Sequence, residues 1–466
     1  MNPIKSSTVV LSAAVSLLLL ASCNIYKKFD LKSGDADELT RQFVEAADAE
    51  RNPEALGNLP WQAVYTDPVL ASYITRALDN NVDYLNAKLN VDVAHANMKG
   101  ARLSYLPSVT LAPNGAGASY AHSDFSWSYQ IPLAVSWEVD VFGKILNSKR
   151  SAEASYAQSK DYRQAVRSQI IGGVANCYYA ISSLESQLQL TRSTAEIWKQ
   201  NVATMRDYKE AGRTTEAAVV QSEANYYSIL AQIKDLEVSL EEANNTFSLL
   251  LNESPRMWEI PAGAFLNIPE IVREGIPMVE LANRPDVRAA ERAVAVAYYA
   301  TNSARAAFYP SISLNANMGF TNLLGSMIKN PAEWFTQLAG QLTLPLFARG
   351  QNIARLEATR AQQEQAMNSF RYKLLSASAD VSNALTSYEK NREKAGLLAK
   401  QVDDLEKAVD YTAELFAAGS STYLEVLTSQ TGLLQAQMSF INCRLTQSQS
   451  VINVYQSLGG GGIEED

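Results

Sequence analysis

The longest run of alternating apolar and polar residues lies between Trp127 and Val141. Its odd-numbered positions carry large apolar or aromatic side chains, and most of its even-numbered positions are small or polar. This period of two predicts a β-strand whose faces meet different surroundings. Residues 108–120 alternate more weakly and are broken near Pro113, which predicts the partner strand of a hairpin at 108–142.

A second hairpin is predicted at 311–347. Apolar side chains fall on one face of residues 311–321 and on one face of the returning strand at 334–347. Each strand has about ten to fourteen residues, enough for a tilted strand to cross the apolar core of a bilayer. Tryptophans near the predicted strand ends suit an aromatic girdle at a membrane surface. They are Trp127, Trp137 and Trp334.

Alternation alone does not separate a membrane hairpin from a hairpin packed on a soluble core. Four strands are too few to close a barrel, and an open edge in lipid leaves backbone groups unsatisfied at several kcal/mol each. Strands that span a membrane would therefore require an oligomer, with eight strands from two chains or twelve from three.

A helical period follows each hairpin. Apolar residues recur at spacings of three and four from Val174 to Met205, and residues 233–250 repeat the spacing on a returning helix. This heptad pattern predicts two antiparallel coiled coils, at 145–250 and 349–457. Residues 145–209 would reach about 98 Å as one helix. The pair Gly172-Gly173 is the expected place for a bend.

The turns within the two coiled coils have similar sequences. Each has a glycine that suits the left-handed end of a helix, and a threonine, Thr215 or Thr422, that suits the N-cap of the next helix. The turns read Ala211-Gly212-Arg213-Thr214-Thr215 and Ala418-Gly419-Ser420-Ser421-Thr422.

The halves of the chain are copies of each other. Residues 102–111 and 305–314 carry similar sequences, in which Pro-Ser leads from a helix into a strand. A repeat of this length indicates a duplicated module and not a solenoid. The predicted first copy is 67–254, with its first helix at 67–104, and the second is 285–457, with its first helix at 285–307. Residues 255–284 form a proline-marked linker, and 458–466 form a tail.

The N-terminus has the pattern of an export signal. Lys5 precedes an apolar stretch that is too short to span a bilayer comfortably, and Leu20-Ala21-Ser22-Cys23 follows. This ending resembles the bacterial lipobox. We therefore expect a signal peptide at 1–22 and a segment at 23–66 held to the membrane by lipid on Cys23, palmitate included. The alternative is an ordinary secretory signal with an incidental cysteine.

Composition disfavours several classes of function. The net charge of -9 argues against nucleic acid as a partner. Cys177 and Cys443 occupy non-equivalent places, so no disulfide is expected, and Cys177 falls on the apolar seam. His95 and His122 have no Cys or His at ligand spacing, so neither a metal nor a cofactor is expected. The chain has no nucleophile elbow and no Gly-rich phosphate loop, so we expect no enzyme.

The lipobox, the duplication, the order of helix, hairpin and coiled coil, and the Gly-x-x-Thr turns together resemble the TolC-like outer-membrane efflux channels, in particular the OprM-like lipoprotein branch. The resemblance is most specific at 418–427 and at its counterpart beginning with Ala211-Gly212. It implies a mainly α fold with membrane β-structure, in which a homotrimer forms a 12-stranded β-barrel and a long periplasmic α-barrel.

The same resemblance implies partners and a location. The protein would be the outer-membrane exit channel of a tripartite efflux system, lipid-anchored and with a long periplasmic extension. It would passively conduct small molecules from a periplasmic adaptor (membrane fusion) protein and an inner-membrane pump of the RND type. The turn residues implied to contact the adaptor are Gly212, Arg213, Thr215, Gly419, Ser420 and Thr422.

The resemblance also implies a gate at Glu425 and Thr428. Family members narrow the periplasmic end of the tunnel with acidic side chains at the matching positions. Three Glu425 carboxylates around an axis would attract cations, whereas Thr428 departs from the acidic pattern of some relatives. The first copy has the uncharged Ala218 and Gln221 instead. The alternative for Glu425 is a solvated helix residue.

Two other functions remain open at this point. A duct for protein secretion would use a similar exit tunnel, although the lipobox favours efflux of drugs or metals. A lipid-anchored periplasmic coiled-coil scaffold would explain the coiled coils and the lipobox. It would not explain the alternating hairpins.

Overall fold

The computed structural model describes residues 28–31, 38–47, 57, 59–119, 124–267, 278–324 and 327–460. The predicted signal peptide, Cys23 and His122 lie outside these residues. The chain divides into two compact units. One contains 89–161 and 288–372, and the other contains 42–88, 162–287 and 373–466. Each unit draws on both copies, so the units do not coincide with the repeats.

The described elements repeat in the same order, with two helices at the start of each copy, then strands, then a long helical pair. The first copy contains α3 Pro68–Asn80, α4 Val82–Leu103, β1 Ser108–Leu111, β2 Asn114–Ala118, β3 Ser126–Val139, α5 Lys144–Glu210 and α6 Glu216–Leu250, preceded by α1 Glu38–Ala47 and α2 Trp61–Val64. The second contains α7 Met278–Asn283, α8 Pro285–Ala306, β4 Ser311–Leu324, β5 Met327–Thr343, α9 Gln351–Ala417 and α10 Tyr423–Ser457. A 3₁₀ turn, Ala264–Leu266, lies between them.

The strands form one antiparallel sheet in which β3 pairs with β4. β1 and β2 both pair with the other side of β3, and β5 pairs with the other side of β4. The two hairpins therefore make a continuous ribbon four strands wide. Its free edges are β1 with β2 on one side and β5 on the other.

Strand register gathers the predicted apolar positions on one face of the sheet. Leu111 pairs with Leu133, Leu133 with Met318, and Ala316 with Leu338. From Trp127 to Leu133 the odd, apolar residues are exposed, and the even residues are buried or half-buried. This is the reverse of a hairpin lying on a soluble core, where the apolar face would be covered.

Three boundaries of the hairpins were predicted wrongly. β3 ends at Val139, before Val141, and the returning strand spans Met327–Thr343 instead of 334–347. Pro345 has no N–H to continue the ladder. Trp334 consequently lies well inside β5, opposite Phe320, and not at a strand end.

Asp140 explains why β3 stops where it does. Its carboxylate accepts hydrogen bonds from the backbone N–H groups of Ile145 (3.1 Å) and Leu146 (2.6 Å), in the first turn of α5. Gly143 supplies the positive φ of 70° at this corner. A carboxylate placed on free N–H groups stabilises a helix start.

The predicted coiled-coil seams are confirmed by burial. In α5 every predicted seam residue from Val174 to Met205 is buried except Cys177 and Leu184, which are half-buried. In the second copy the predicted seam residues of α9, from Leu398 to Phe416, are only half-buried. The chain therefore covers α9 less than it covers α5.

Among the described residues, no helix is both long enough and apolar enough to cross a membrane. α5 stays helical through Gly172-Gly173. An added Cβ on Gly172 would collide with the Gln456 side chain, so a close approach by α10 accounts for this glycine.

The start of the inter-copy linker packs into the core. Trp258 makes edge contacts with Tyr73 and Phe247, with ring centroids 5.5 Å away in both cases. Its Nε1 donates to Ser248 Oγ (2.8 Å), and its backbone N donates to Asn244 Oδ1 (2.8 Å). The linker thus closes the base of the first coiled coil.

The two copies anchor their returning helices by equivalent residues of different chemistry. Asn81 Nδ2 donates to the carbonyl of Leu250, the last residue of α6 (3.0 Å). The equivalent Arg284 donates from Nη1 to the carbonyl of Ser457, the last residue of α10 (3.1 Å). Each interaction satisfies a carbonyl that the helix end leaves free.

Arg284 is also the centre of a charge network. It pairs with Asp286 (2.8 Å) and Asp380 (3.2 Å), and Lys373 pairs with Asp286 (2.8 Å). Burial alone would raise the pKa of the Asp286 carboxyl, but hydrogen bonds and charge from Arg284 and Lys373 lower it to about 2.

We expect Arg284→Ala to lower the free energy of unfolding by about 3 kcal/mol, because it leaves Asp286 and the Ser457 carbonyl short of a buried partner. Arg284→Lys should recover only part of the loss, since one ammonium cannot replace the planar guanidinium. Denaturant unfolding in detergent would measure both. Lys390→Ala, in the exposed pair with Glu393, is the control and should cost less than about 1 kcal/mol. Equal losses for Arg284→Ala and the control would contradict the prediction.

Candidate functional site: the two helical tips

The two tips have the same backbone geometry. Gly212 and Gly419 have φ of 71° and 72°. The N–H groups of the residues that follow them, Arg213 and Ser420, each donate back five residues, to Tyr208 and Leu415 (both 2.8 Å). This six-to-one bond with a left-handed glycine is the Schellman helix end. The predicted left-handed, helix-ending conformation of both glycines is confirmed.

The two threonines occupy the predicted N-cap positions without making the expected bond. Thr215 and Thr422 are extended, with φ/ψ of -98°/159° and -91°/151°, and neither side chain caps its helix. The backbone carbonyls of these threonines accept instead, from Ala218 N and Glu425 N (both 3.1 Å). The cap position was right and the side-chain bond was wrong.

Side chains at both tips face solvent. Gly212, Arg213 and Thr215 are exposed in the first tip, and Gly419, Ser420 and Thr422 are exposed in the second. An added Cβ on either glycine would meet nothing within 4 Å. The glycines are therefore required by backbone conformation and not by a crowded neighbour.

The predicted gate residues lie in the first two turns of α10, Glu425 in the first and Thr428 in the second. Glu425 is exposed, and its carboxylate accepts a hydrogen bond from the Ser421 hydroxyl. Thr428 is also exposed, and its hydroxyl donates to the Leu424 carbonyl (2.8 Å). Both side chains are therefore solvent-accessible and held by local hydrogen bonds.

Contacts between the tips were not predicted from the sequence. The Tyr208 ring meets Phe416 edge-on (5.7 Å), and Phe416 lies 5.6 Å from the ring of Tyr423. The hydroxyls of Ser222 and Tyr423 are 3.0 Å apart in a buried hydrogen bond. Burial raises the pKa of Tyr423. The first and second coiled coils are thus attached at their ends by aromatic packing and one polar contact.

The described residues contain no group of three or more His, Cys, Asp or Glu that could hold a metal ion. Cys177 and Cys443 are both free thiols. Burial raises the pKa of the Cys177 thiol to about 12, which suits an unreactive apolar residue. His95 lies against Tyr156, with ring centroids 5.3 Å apart.

The sequence matches the family model described as outer membrane efflux protein over residues 73–253 and 277–460, most of both copies. The chain belongs to the outer membrane efflux protein family. It is an outer-membrane efflux channel protein, as the resemblance implied.

Individual family members align along most of their length. The chain is 28% identical over 466 residues to the pyoverdine export outer membrane protein OpmQ of Pseudomonas aeruginosa, covering 97% of this chain and 96% of OpmQ. It is 26% identical over 411 residues to the probable outer membrane lipoprotein SilC of Salmonella typhimurium, covering 87% and 88%. The open state of the MtrE channel of Neisseria gonorrhoeae has a similar fold, with a TM-score of 0.79 and 25% identity, covering 94% and 97%.

We expect Gly419→Ala to destabilise the second tip of this efflux protein by about 1 kcal/mol, because alanine is strained at positive φ. Amide exchange across 411–430 should become faster. The control is Gly396→Ala, which lies inside α9 with nothing near its added Cβ. This control should be neutral or stabilising by up to about 1 kcal/mol. Unchanged exchange in Gly419→Ala would contradict the prediction.

Proposed function

We propose that this efflux protein is a passive exit duct that conducts small molecules across the outer membrane. The apolar face of the sheet carries this proposal, because strands from both copies contribute to it and large apolar side chains on it are exposed in β1, β3, β4 and β5. An apolar band of this kind suits a lipid-facing wall. The duct itself performs no chemistry.

We propose that the duct is a homotrimer. The ribbon of four strands has an unpaired edge on each side, and lipid offers no hydrogen bonds to those backbone groups. Pairing the β5 edge of one chain with the β1–β2 edge of the next removes every edge when the ring closes. Three chains give the 12-stranded β-barrel that the family resemblance implies, with the coiled coils forming a periplasmic α-barrel.

The exposed tips support docking by a periplasmic adaptor protein. Both tips combine a rigid turn with accessible side chains, among them Arg213 and Ser420. A pump in the inner membrane, of the RND type, would supply the energy and select the cargo. Lipid on Cys23 would anchor each chain to the outer membrane in addition to the barrel.

The gate is proposed to lie at the second tip. Three Glu425 side chains around the axis would form an acidic constriction, with Thr428 one helical turn further along α10. The contacts of Phe416 and Tyr423 with the first coiled coil would hold this closed arrangement. Adaptor binding would move the second coiled coil outward as a unit and break those contacts.

The lipid-facing wall can be tested by one pair of charge insertions. In a strain lacking the gene, we expect increased susceptibility to detergents, dyes, antibiotics or metal ions, and restoration by the wild-type gene. Leu338→Arg, on the apolar face of β5, should fail to restore resistance, because it costs about 2–4 kcal/mol at the middle of a bilayer.

The matched control for that test is Gln337→Arg, the neighbouring position on the opposite face of β5. It should restore resistance, because its side chain would face the water-filled interior. Unchanged susceptibility in the deletion strain would refute efflux. Equal behaviour of the two arginine variants would refute the assignment of the lipid face.

The gate predicts a specific change in single-channel recordings. Glu425→Ala should reduce cation selectivity and raise the leak of the resting channel in planar bilayers, because the acidic ring is lost. Thr428→Asp should increase cation selectivity. Glu414→Ala, which removes the same charge from a solvent-facing position before the turn, is the control. If Glu425→Ala leaves conductance, selectivity and leak as they are in the wild type, the gate lies elsewhere.

A further inference from the structure

The coiled coils of the two copies have equal helix lengths. α5 and α9 each have 67 residues, and α6 and α10 each have 35. Every residue of the first pair therefore has an equivalent exactly one copy later, such as Lys144 and Gln351 at the helix starts. Contacts made by one copy can be transferred to the other position by position.

Within the chain, α5 packs against α10. Gln187 Nε2 donates to Asn442 Oδ1 (3.2 Å), and Asn201 Nδ2 donates to Gln430 Oε1 (2.9 Å). Further along, Gln456 Nε2 donates to the Ser168 carbonyl (2.9 Å). This contact joins the first copy to the second, and it has a defined register.

The equivalent helices, α6 and α9, leave apolar residues exposed at the same places. Val220, Tyr227 and Val238 of α6 are exposed. Their equivalents in α10 belong to, or pack against, the main apolar cluster, the group of buried residues that includes Trp198, Ile233 and Met438. Those equivalents are Leu427, Leu434 and Leu445. The exposed Leu397 and Leu415 of α9 correspond in the same way to Leu190 and Tyr208 of α5, which also pack against that cluster.

We propose that α9 of one chain packs against α6 of the neighbouring chain, in the register of the α5–α10 contact. This assigns the occupant of both exposed faces, namely a second copy of this chain. The inference rests on the oligomer proposed above, and adds which helices meet and at what register. An interface between two different faces repeats from chain to chain and closes into a ring when the rotation between neighbours allows it.

Two residue pairs make the register specific. Leu249 is 73% exposed and is the equivalent of Gln456, while the exposed Leu375 is the equivalent of Ser168. Leu249 of the partner subunit would therefore cover Leu375, an apolar contact where the chain itself has a polar one. Because the equivalents of Gln187 and Asn442 are Lys394 and Asp235, Lys394 would meet Asp235 of the partner subunit.

The charges of this second pair fit an interface between copies. Lys394 and Asp235 are both exposed, and neither side chain has an ion-pair partner among the described residues. They carry opposite charges at the positions where the in-chain contact has two neutral amides. Opposite charges facing across an interface fix register and disfavour wrong pairings.

Cross-linking between differently tagged chains tests the register. In a background of Cys177→Ala and Cys443→Ala, one chain carries Leu249→Cys and the other Leu375→Cys. We expect a short bifunctional thiol reagent to join them as a mixed dimer on denaturing gels. A chain with both substitutions should give a ladder that ends at the closed ring. The control pairs Val238→Cys with Leu375→Cys, displaced by about 16 Å along the helix, and should stay uncrosslinked.

The outcomes separate the register from the assembly. If native mass measurement shows an oligomer but Leu249→Cys and Leu375→Cys do not join, or the control joins equally well, the register is wrong. If the chain is a monomer, the proposed assembly itself fails.

A charge exchange tests the second pair by a different readout. Lys394→Asp and Asp235→Lys should each lower the temperature at which the oligomer dissociates in detergent, because like charges then face each other. The double variant should recover most of the loss. Additive losses in the double variant would show that the two side chains do not meet.

Discussion

Backbone hydrogen bonding at the two edges of the sheet is the constraint on which the rest of the structure depends. β3 and β4 are paired on both sides, whereas β5 and the β1–β2 strand are paired on one. The apolar face of the same sheet is exposed, so both unsatisfied features lie in the same element. A membrane makes the apolar face favourable but makes the open edges costlier. Association of several chains into a closed barrel pairs the edges, so that the apolar face can meet lipid without unsatisfied backbone groups.

The duplication gives the chain two modules with the same backbone and different surroundings. The first coiled coil is enclosed by α10 and by the linker residue Trp258, and its seam is largely buried. The second has seam residues in α9 that are only half-buried. This difference between α5 and α9 is expected in a ring, because α5 packs against α10 of its own chain whereas α9 would pack against α6 of the next chain.

Sequence patterns predicted the elements well and their connections less well. The alternation after Trp127 and the heptads of α5 repeat over many residues, so each residue adds to the evidence for the same element. Gly212 and Gly419 were predictable because their backbone conformation favours glycine. The bounds of β5 depended on pairing with β4, and the tip contact of Ser222 with Tyr423 depended on how two distant helices pack. The equivalence of Asn81 and Arg284 could be recognised only in the folded chain, because an amide and a guanidinium have in common only the ability to donate hydrogen bonds.

The matching backbone of the two tips has a consequence for stoichiometry. In a trimer, six turns with the same Schellman geometry would form a ring, and their side chains would alternate between the Arg213 type and the Ser420 type. A partner that binds only the turn backbone would find six equivalent places. A partner that also requires the guanidinium or the hydroxyl would find three places of each kind. The number of adaptor chains per channel would therefore depend on which of these features the adaptor binds.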